Sequence, residues 1–340
     1  MAAAPDRGAV LDPPDARVRT AGDAEVASGA RPRRLSRHLT LCAGCFALLL
    51  AALLPLFVYP RLASLPADPQ QTQVQESPSA DVLVADPDSP AGARVVHDTP
   101  LRVTTHVSAA PGPVRDDSVV WLLATRVTAP GHGLVNAQVE RVSLNRRTAE
   151  PTNCCGDRLV TDQAQPAGRP LIHHGYVTFP FDVRQRAYDL WDVQLGRPRS
   201  AAFLGEERRD GFRTYRFETV TPPEEIGTQD LPGRLFGLRK PSVTATAVYE
   251  DTRTYWVEPV TGAVVDIHER LRQTFRYDGR EVPAVSATLD SPALDGELRA
   301  TLRQGAMVLP WLQGKASLVL LVVGLALLAF WARPAYDVSG

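Results

Sequence analysis

Apolar residues gather in two uncharged runs, one near each end of the chain. Leu39 to Val58 reads LTLCAGCFALLLAALLPLFV and Ala316 to Trp331 reads ASLVLLVVGLALLAFW. At helical rise the first run spans about 30 Å, the thickness of a bilayer's hydrocarbon core. The second is slightly short, but Lys315 and Arg333 flank it and can snorkel to the two interfaces. A cleavable leader does not fit the first run, because 38 residues precede it and YPRLASLPADP offers no small-x-small cleavage site. The Cys42-Ala43-Gly44-Cys45 box lies at the start of the apolar run, not at its end, so a lipoprotein signal does not fit either.

Between the runs the period changes to two. The expected strands are 101–107, 119–128, 134–144, 175–181, 211–220, 242–250, 253–257 and 263–277, all rich in Val, Thr, Tyr and Phe. A segment at 291–304 reads as a helix leading into the second run. The fold class expected is mainly β, an antiparallel, curved-sheet or sandwich-like extracytoplasmic domain between two transmembrane α-helices. Alternation assigns faces. Val243, Ala245, Ala247 and Tyr249 share one, and Val265, Ile267, Leu271, Phe275 and Tyr277 share another with Glu269 and Gln273. Those two polar residues on an apolar face have two readings. Either they sit at the sheet rim or pair with an arginine such as Arg213, or they line a ligand cavity together with Tyr215, Phe217, Tyr249 and Phe275. The stretch 258–262 makes a tight turn, with Pro259 fixing its own φ and Gly262 supplying permissive backbone.

Basic residues set the expected orientation. Arg31, Arg33, Arg34 and Arg37 precede the first run and only Arg61 follows it closely, which places the amino terminus in the cytoplasm. The chain then divides into a disordered cytoplasmic tail (1–38), a first transmembrane helix (39–59), an extended linker and domain entry (60–100), the β domain (101–305), a second transmembrane helix with its approach (306–332) and a cytoplasmic tail (333–340). The location expected is the plasma membrane, crossed twice.

Composition narrows the function. A net charge of −1 over 340 residues gives no reason to expect nucleic acid. The His268-Glu269-Arg270-Leu271-Arg272 stretch lacks the second histidine of a zinc-protease helix and has a strand's period. Adjacent Cys154 and Cys155 close only a strained ring, pair across two chains, or remain thiols, and a metal or redox site with His173 and His174 lacks visible zinc spacing. Cys42 and Cys45 read as small packing residues of the first span. With no nucleophile elbow, phosphate loop or dinucleotide fingerprint, the sequence points to no enzyme and no cofactor.

Several stretches resemble one family in order along the chain: LPLFVYPRLASLPADPQQT, VERVSLNRRTAEPTNCCGD, GYVTFPFDVRQRAYDLWD, YWVEPVTGAVVD and the closing span. Together they resemble the actinobacterial two-span envelope family of unknown function labelled "porin PorA family protein". The resemblance implies a membrane protein with one external domain and carries over no catalytic residues. The function expected first is a non-enzymatic, membrane-tethered envelope protein whose β domain binds a lipid, a glycolipid or an envelope protein partner. The alternatives are an oligomeric channel formed through the two helices, and an extracytoplasmic sensor.

Overall fold

The computed structural model describes residues 31–333 apart from 86–91, 112–116, 162–164 and 166. The protein is mainly β: one antiparallel sheet of twelve strands, with an apolar helix at each end long enough to cross a membrane. The strands are β1 (Gln71–Ala85), β2 (Ala93–Ala109), β3 (Ser118–Ala129), β4 (Gly133–Asn145), β5 (Arg158–Val160), β6 (Arg169–Pro170), β7 (Tyr188–Asp192), β8 (Arg197–Arg209), β9 (Phe212–Leu231), β10 (Val243–Val257), β11 (Val264–Tyr277) and β12 (Arg280–Asp290). Their order, β6-β5-β4-β3-β2-β1-β12-β11-β10-β9-β8-β7, is sequential except that β1 and β12 meet in the middle. The chain thus enters and leaves the domain through neighbouring strands.

The helices are α1 (Arg31–Leu53), α2 (Tyr59–Leu62), α3 (Gly296–Pro310) and α4 (Ala316–Ala332). Five-residue π-helical segments, Leu54–Val58 and Trp311–Lys315, join α1 to α2 and α3 to α4. Pro55 lies in the first and Pro310 directly before the second, consistent with wider turns where a proline removes a ladder donor. α1 and α4 run antiparallel and touch through glycine. A Cβ on Gly324 would stand 3.0 Å from the Gly44 carbonyl, and one on Gly44 would stand 3.3 Å from that of Gly324. At one end of this pair Arg37 donates to the Trp331 carbonyl at 3.0 Å. Small residues at the contact let the backbones approach, which is how apolar helices gain van der Waals contact without a hydrophobic driving force.

Several expectations change. Residues 71–85 and 93–100 are not a linker but parts of β1 and β2, paired along most of their length. Residues 31–38 belong to α1, while 1–30 and 334–340 lie outside the described residues. Residues 175–181 form no strand, and 242–250 and 253–257 are one continuous strand. Cys42 and Cys45 are exposed on α1 and do not pack into the helix pair. Several prolines inside strands coincide with register shifts: Pro78 between Ser77 and Ala80, Pro222 and Pro223 between Thr221 and Glu224, Pro283 opposite Thr274. A bulge tolerates the missing donor that a regular ladder does not.

The two ends of the strand order are tied to each other. Leu171 N donates to the Asp157 carbonyl (3.0 Å), Tyr176 N to that of Asp189 (2.7 Å), and Trp191 N to that of Tyr176 (2.8 Å). The segment 171–176 therefore bonds to the β5 side with one end and to β7 with the other. Beyond it, Asp182 N and Val183 N donate to the Val260 and Pro259 carbonyls of the 258–262 turn. That turn is scaffold. The buried Glu258 carboxylate accepts from Val260 N (3.1 Å), Thr261 N (2.8 Å) and Thr261 Oγ1 (2.6 Å). Gly262 has φ +73°, and a Cβ there would lie 2.3 Å from the Pro180 carbonyl oxygen, so only glycine fits.

Candidate functional site

The six residues expected to line a cavity lie on three adjacent strands and fill three different groups. Tyr215 and Phe217 of β9 join an aromatic cluster with Phe179, Tyr188, Phe203 and Val257. Phe275 of β11 packs with Leu231, Phe236 and Val243. Tyr249 and Glu269 belong to a polar layer, and half-buried Gln273 stands opposite Tyr249 in register. Glu269 is 4% exposed and lies away from any rim. Its partner is Arg253, not Arg213, which binds Glu206 instead.

The polar layer follows from β10. Tyr249, Asp251, Arg253 and Tyr255 alternate onto the buried face because Val243, Ala245 and Ala247 begin there. Arg253 Nη2 donates to Glu269 Oε1 at 2.6 Å and lies 3.5 Å from Asp251 Oδ2, and Gln75 Nε2 donates to Glu269 Oε2 at 3.0 Å. The Tyr249 hydroxyl donates to Asp192 Oδ2 at 3.3 Å. Asp251 Oδ1 and Arg253 Nε have no partner. Burial pushes the Asp251 carboxyl up to about 7, with Arg253 opposing that rise and Glu269 adding to it.

A second buried cluster sits where the two ends of the strand order meet. Glu140 of β4 shares the inward face of Val142 and Leu144, so its carboxylate points into the apolar side. There Glu140 Oε1 accepts from His173 Nε2 and from Trp191 Nε1, both at 2.7 Å. On its other side His173 Nδ1 donates to Asp157 Oδ2 at 3.0 Å, and Asp157 also accepts from Ser143 N (3.0 Å) and Ser143 Oγ (2.7 Å). The His173 and Trp191 rings meet edge-on at 4.9 Å. Burial alone would lower the His173 pKa, but the hydrogen bonds to Asp157 and Glu140 prevail and raise it to about 9. Burial likewise opposes ionisation of Asp157, and the bonds from His173 and Ser143 outweigh it and hold its pKa below the usual value. Both shifts favour the charged forms, an imidazolium at His173 against a carboxylate at Asp157.

Outside this cluster lies a groove of about 440 Å³ lined by Glu150, Asn153, His174, Tyr176, Arg186 and Asp189 among others. Cys154 and Cys155 are joined in a disulfide beside it. Asn153 holds the wall in place: its side chain accepts from His173 N (2.8 Å) and donates to the His173 carbonyl (3.0 Å). Arg186 lies over the Tyr188 ring, 4.8 Å from its centre. Among the described residues no group of His, Cys, Asp and Glu has the arrangement of a metal site. Reading the sequence missed Glu140, Asp157 and Trp191. Glu140 carried the same signal as Glu269, an acid two and four positions from inward-facing Val142 and Leu144. Nothing local placed it beside residues 157, 173 and 191.

A twelve-stranded antiparallel sheet between two apolar helices long enough to cross a membrane defines a mainly β protein with helical candidate spans. The family described as Porin PorA matches residues 38–333, most of the chain, and the protein belongs to that family. It is similar to a protein named Porin PorA from Corynebacterium amycolatum, 22% identical over 381 residues, covering 86% of this chain and 98% of that one. It is also similar to a Porin PorA from Corynebacterium resistens, 25% identical over 298 residues, covering 62% of this chain and 72% of the relative.

Proposed function

We propose that this is a non-enzymatic envelope protein that holds a curled β domain outside the plasma membrane on a two-helix anchor. Its groove between the ends of the sheet engages a lipid headgroup or a neighbouring envelope protein. The observation that carries this reading is the groove itself. It is polar, has the volume of a small-ligand site, and is walled by a hydrogen-bonded, disulfide-bearing segment. The basic residues before the first span favour cytoplasmic termini. Lipid extraction and native mass spectrometry of the full-length protein in mild detergent test it. A defined lipid retained by the parent protein and lost on substitution in the groove supports the reading. Retention that depends on the helices alone counts against it.

The second reading is an oligomeric channel, and the name Porin PorA carried by both relatives favours it. One copy offers two apolar spans sealed through Gly44 and Gly324, with Leu39, Phe46, Leu49, Leu318, Val322 and Leu325 facing outward. Several copies would be needed to surround water. Conductance of the purified protein in planar bilayers that disappears when either span is replaced by polyleucine would establish the channel and displace the first reading.

A further inference from the structure

We propose that the groove takes an uncharged saccharide, presented as the headgroup of a membrane glycolipid; the assignment rests on the headgroup reading above and narrows it. Charge comes first. Arg186 is the groove's one arginine, and Glu150 and Asp189 line it with carboxylates. His173 also lines the groove, but its ring is already held between Glu140 and Asp157. Arg186 is therefore the lining cation left to meet a phosphate, against Glu150 and Asp189, whereas a sugar hydroxyl both donates and accepts. Carboxylates at Glu150 and Asp189 accept, the Arg186 guanidinium donates, and half-buried Tyr176 supplies an apolar ring between them. That mixture suits a neutral polyol better than an anion or a hydrocarbon chain.

Position is the second support. The groove begins at the 145–150 turn, where Leu65 N donates to the Arg146 carbonyl (2.7 Å) and Arg146 Nε donates to the Leu65 carbonyl (3.0 Å). Leu65 follows the end of α2 at Leu62 closely, so the turn that ends in groove-lining Glu150 is tied to the segment by which the chain leaves the helices. Rigidity is the third support. Gly175 has φ +80°, and a Cβ there would lie 2.3 Å from the Asp189 carbonyl oxygen, so the floor admits no other residue and is formed before any ligand arrives.

The test is native mass spectrometry of the full-length protein in detergent with equal amounts of monogalactosyl diacylglycerol, phosphatidylglycerol and phosphatidylcholine. Expected is preferential retention of the galactolipid, reduced at least tenfold in the R186A/D189N double variant, whose exposed positions leave the fold intact by circular dichroism. Preferential retention of phosphatidylglycerol, lost in the same variant, overturns the saccharide and leaves a headgroup site. Equal retention of all three lipids, unchanged in the variant, overturns both, since the helices then hold the lipid. No retained lipid overturns the saccharide and moves the groove to a protein partner. Methyl β-galactoside at the lipid's own concentration should compete poorly; equal competition would overturn the lipid as the source of the sugar.

Discussion

The two buried polar clusters are built from the same materials and solve burial differently. In the seam cluster His173 lies between Glu140 and Asp157, and Trp191 and Ser143 supply further donors. In the layer on β10 and β11, Arg253 faces Asp251 and Glu269, yet Asp251 Oδ1 and Arg253 Nε stay without a partner. A buried charge is tolerated when its hydrogen bonds are complete and costs free energy when they are not. The comparison separates a lock from a liability. The seam joins residues of β4, the 171–176 segment and β7, so losing it opens the sheet at its ends. The inner layer sits on the β10–β11 ladder, unbroken from Thr246 to Trp256, and can change protonation without breaking that strand pair.

The largest expected effect breaks the seam. His173→Ala leaves two buried carboxylates facing each other and should cost about 3–5 kcal/mol, read as a lowered denaturant midpoint for the β domain. Trp191→Phe keeps the ring against His173 but removes one donor to Glu140. A smaller loss of about 1.5–3 kcal/mol is expected, the worth of a hydrogen bond to a charged group. If the two variants lost the same amount, the imidazolium would not be the centre of the seam.

pH sharpens the contrast. The folded pKa of His173, about 9, stands above its ordinary 6.5. Its stabilisation is therefore fully present below about 6.5 and is lost as pH rises through about 9. Asp251 is also raised, from 3.8 to about 7, but for an acid this means that ionisation is resisted in the fold. Its contribution becomes unfavourable as pH rises from 3.8 to about 7 and stays so above. Asp251→Asn should accordingly raise the melting temperature by about 2–4 °C at pH 8 and leave it unchanged near pH 4. A melting temperature lowered at pH 8 would show that the Asp251 charge pairs with Arg253 strongly enough to offset its burial. The same titration on His173→Ala should differ from the parent most at pH 6 and least above pH 9.

Local pattern carried much of this architecture. Alternation on β10 and β11 put Tyr249, Phe275 and Glu269 on the inward side, and all three are buried there. It failed at β1 and β2, where QTQVQESPS reads as a linker because polar residues and Pro78 hide a strand held by backbone pairing to β2 and, from Glu76 on, to β12. It failed again at 175–181, where Phe179 is buried and Tyr176 and Phe181 are half-buried as filler against the core clusters and not as a strand.

By itself the sequence determined the two apolar helices, the β character between them and the inward side of the central strands. Each depends on spacing along one segment: an uncharged run of span length, or a period of two. Only the tertiary structure decided which polar residues meet. Glu140, Asp157, His173 and Trp191 come from four separate stretches, and Glu269 found Arg253 instead of Arg213. Register places Arg253 directly opposite Glu269 on the neighbouring strand. A strand's own alternation says which side a residue faces, whereas its partner depends on how neighbouring strands slide and on how the sheet's ends come together.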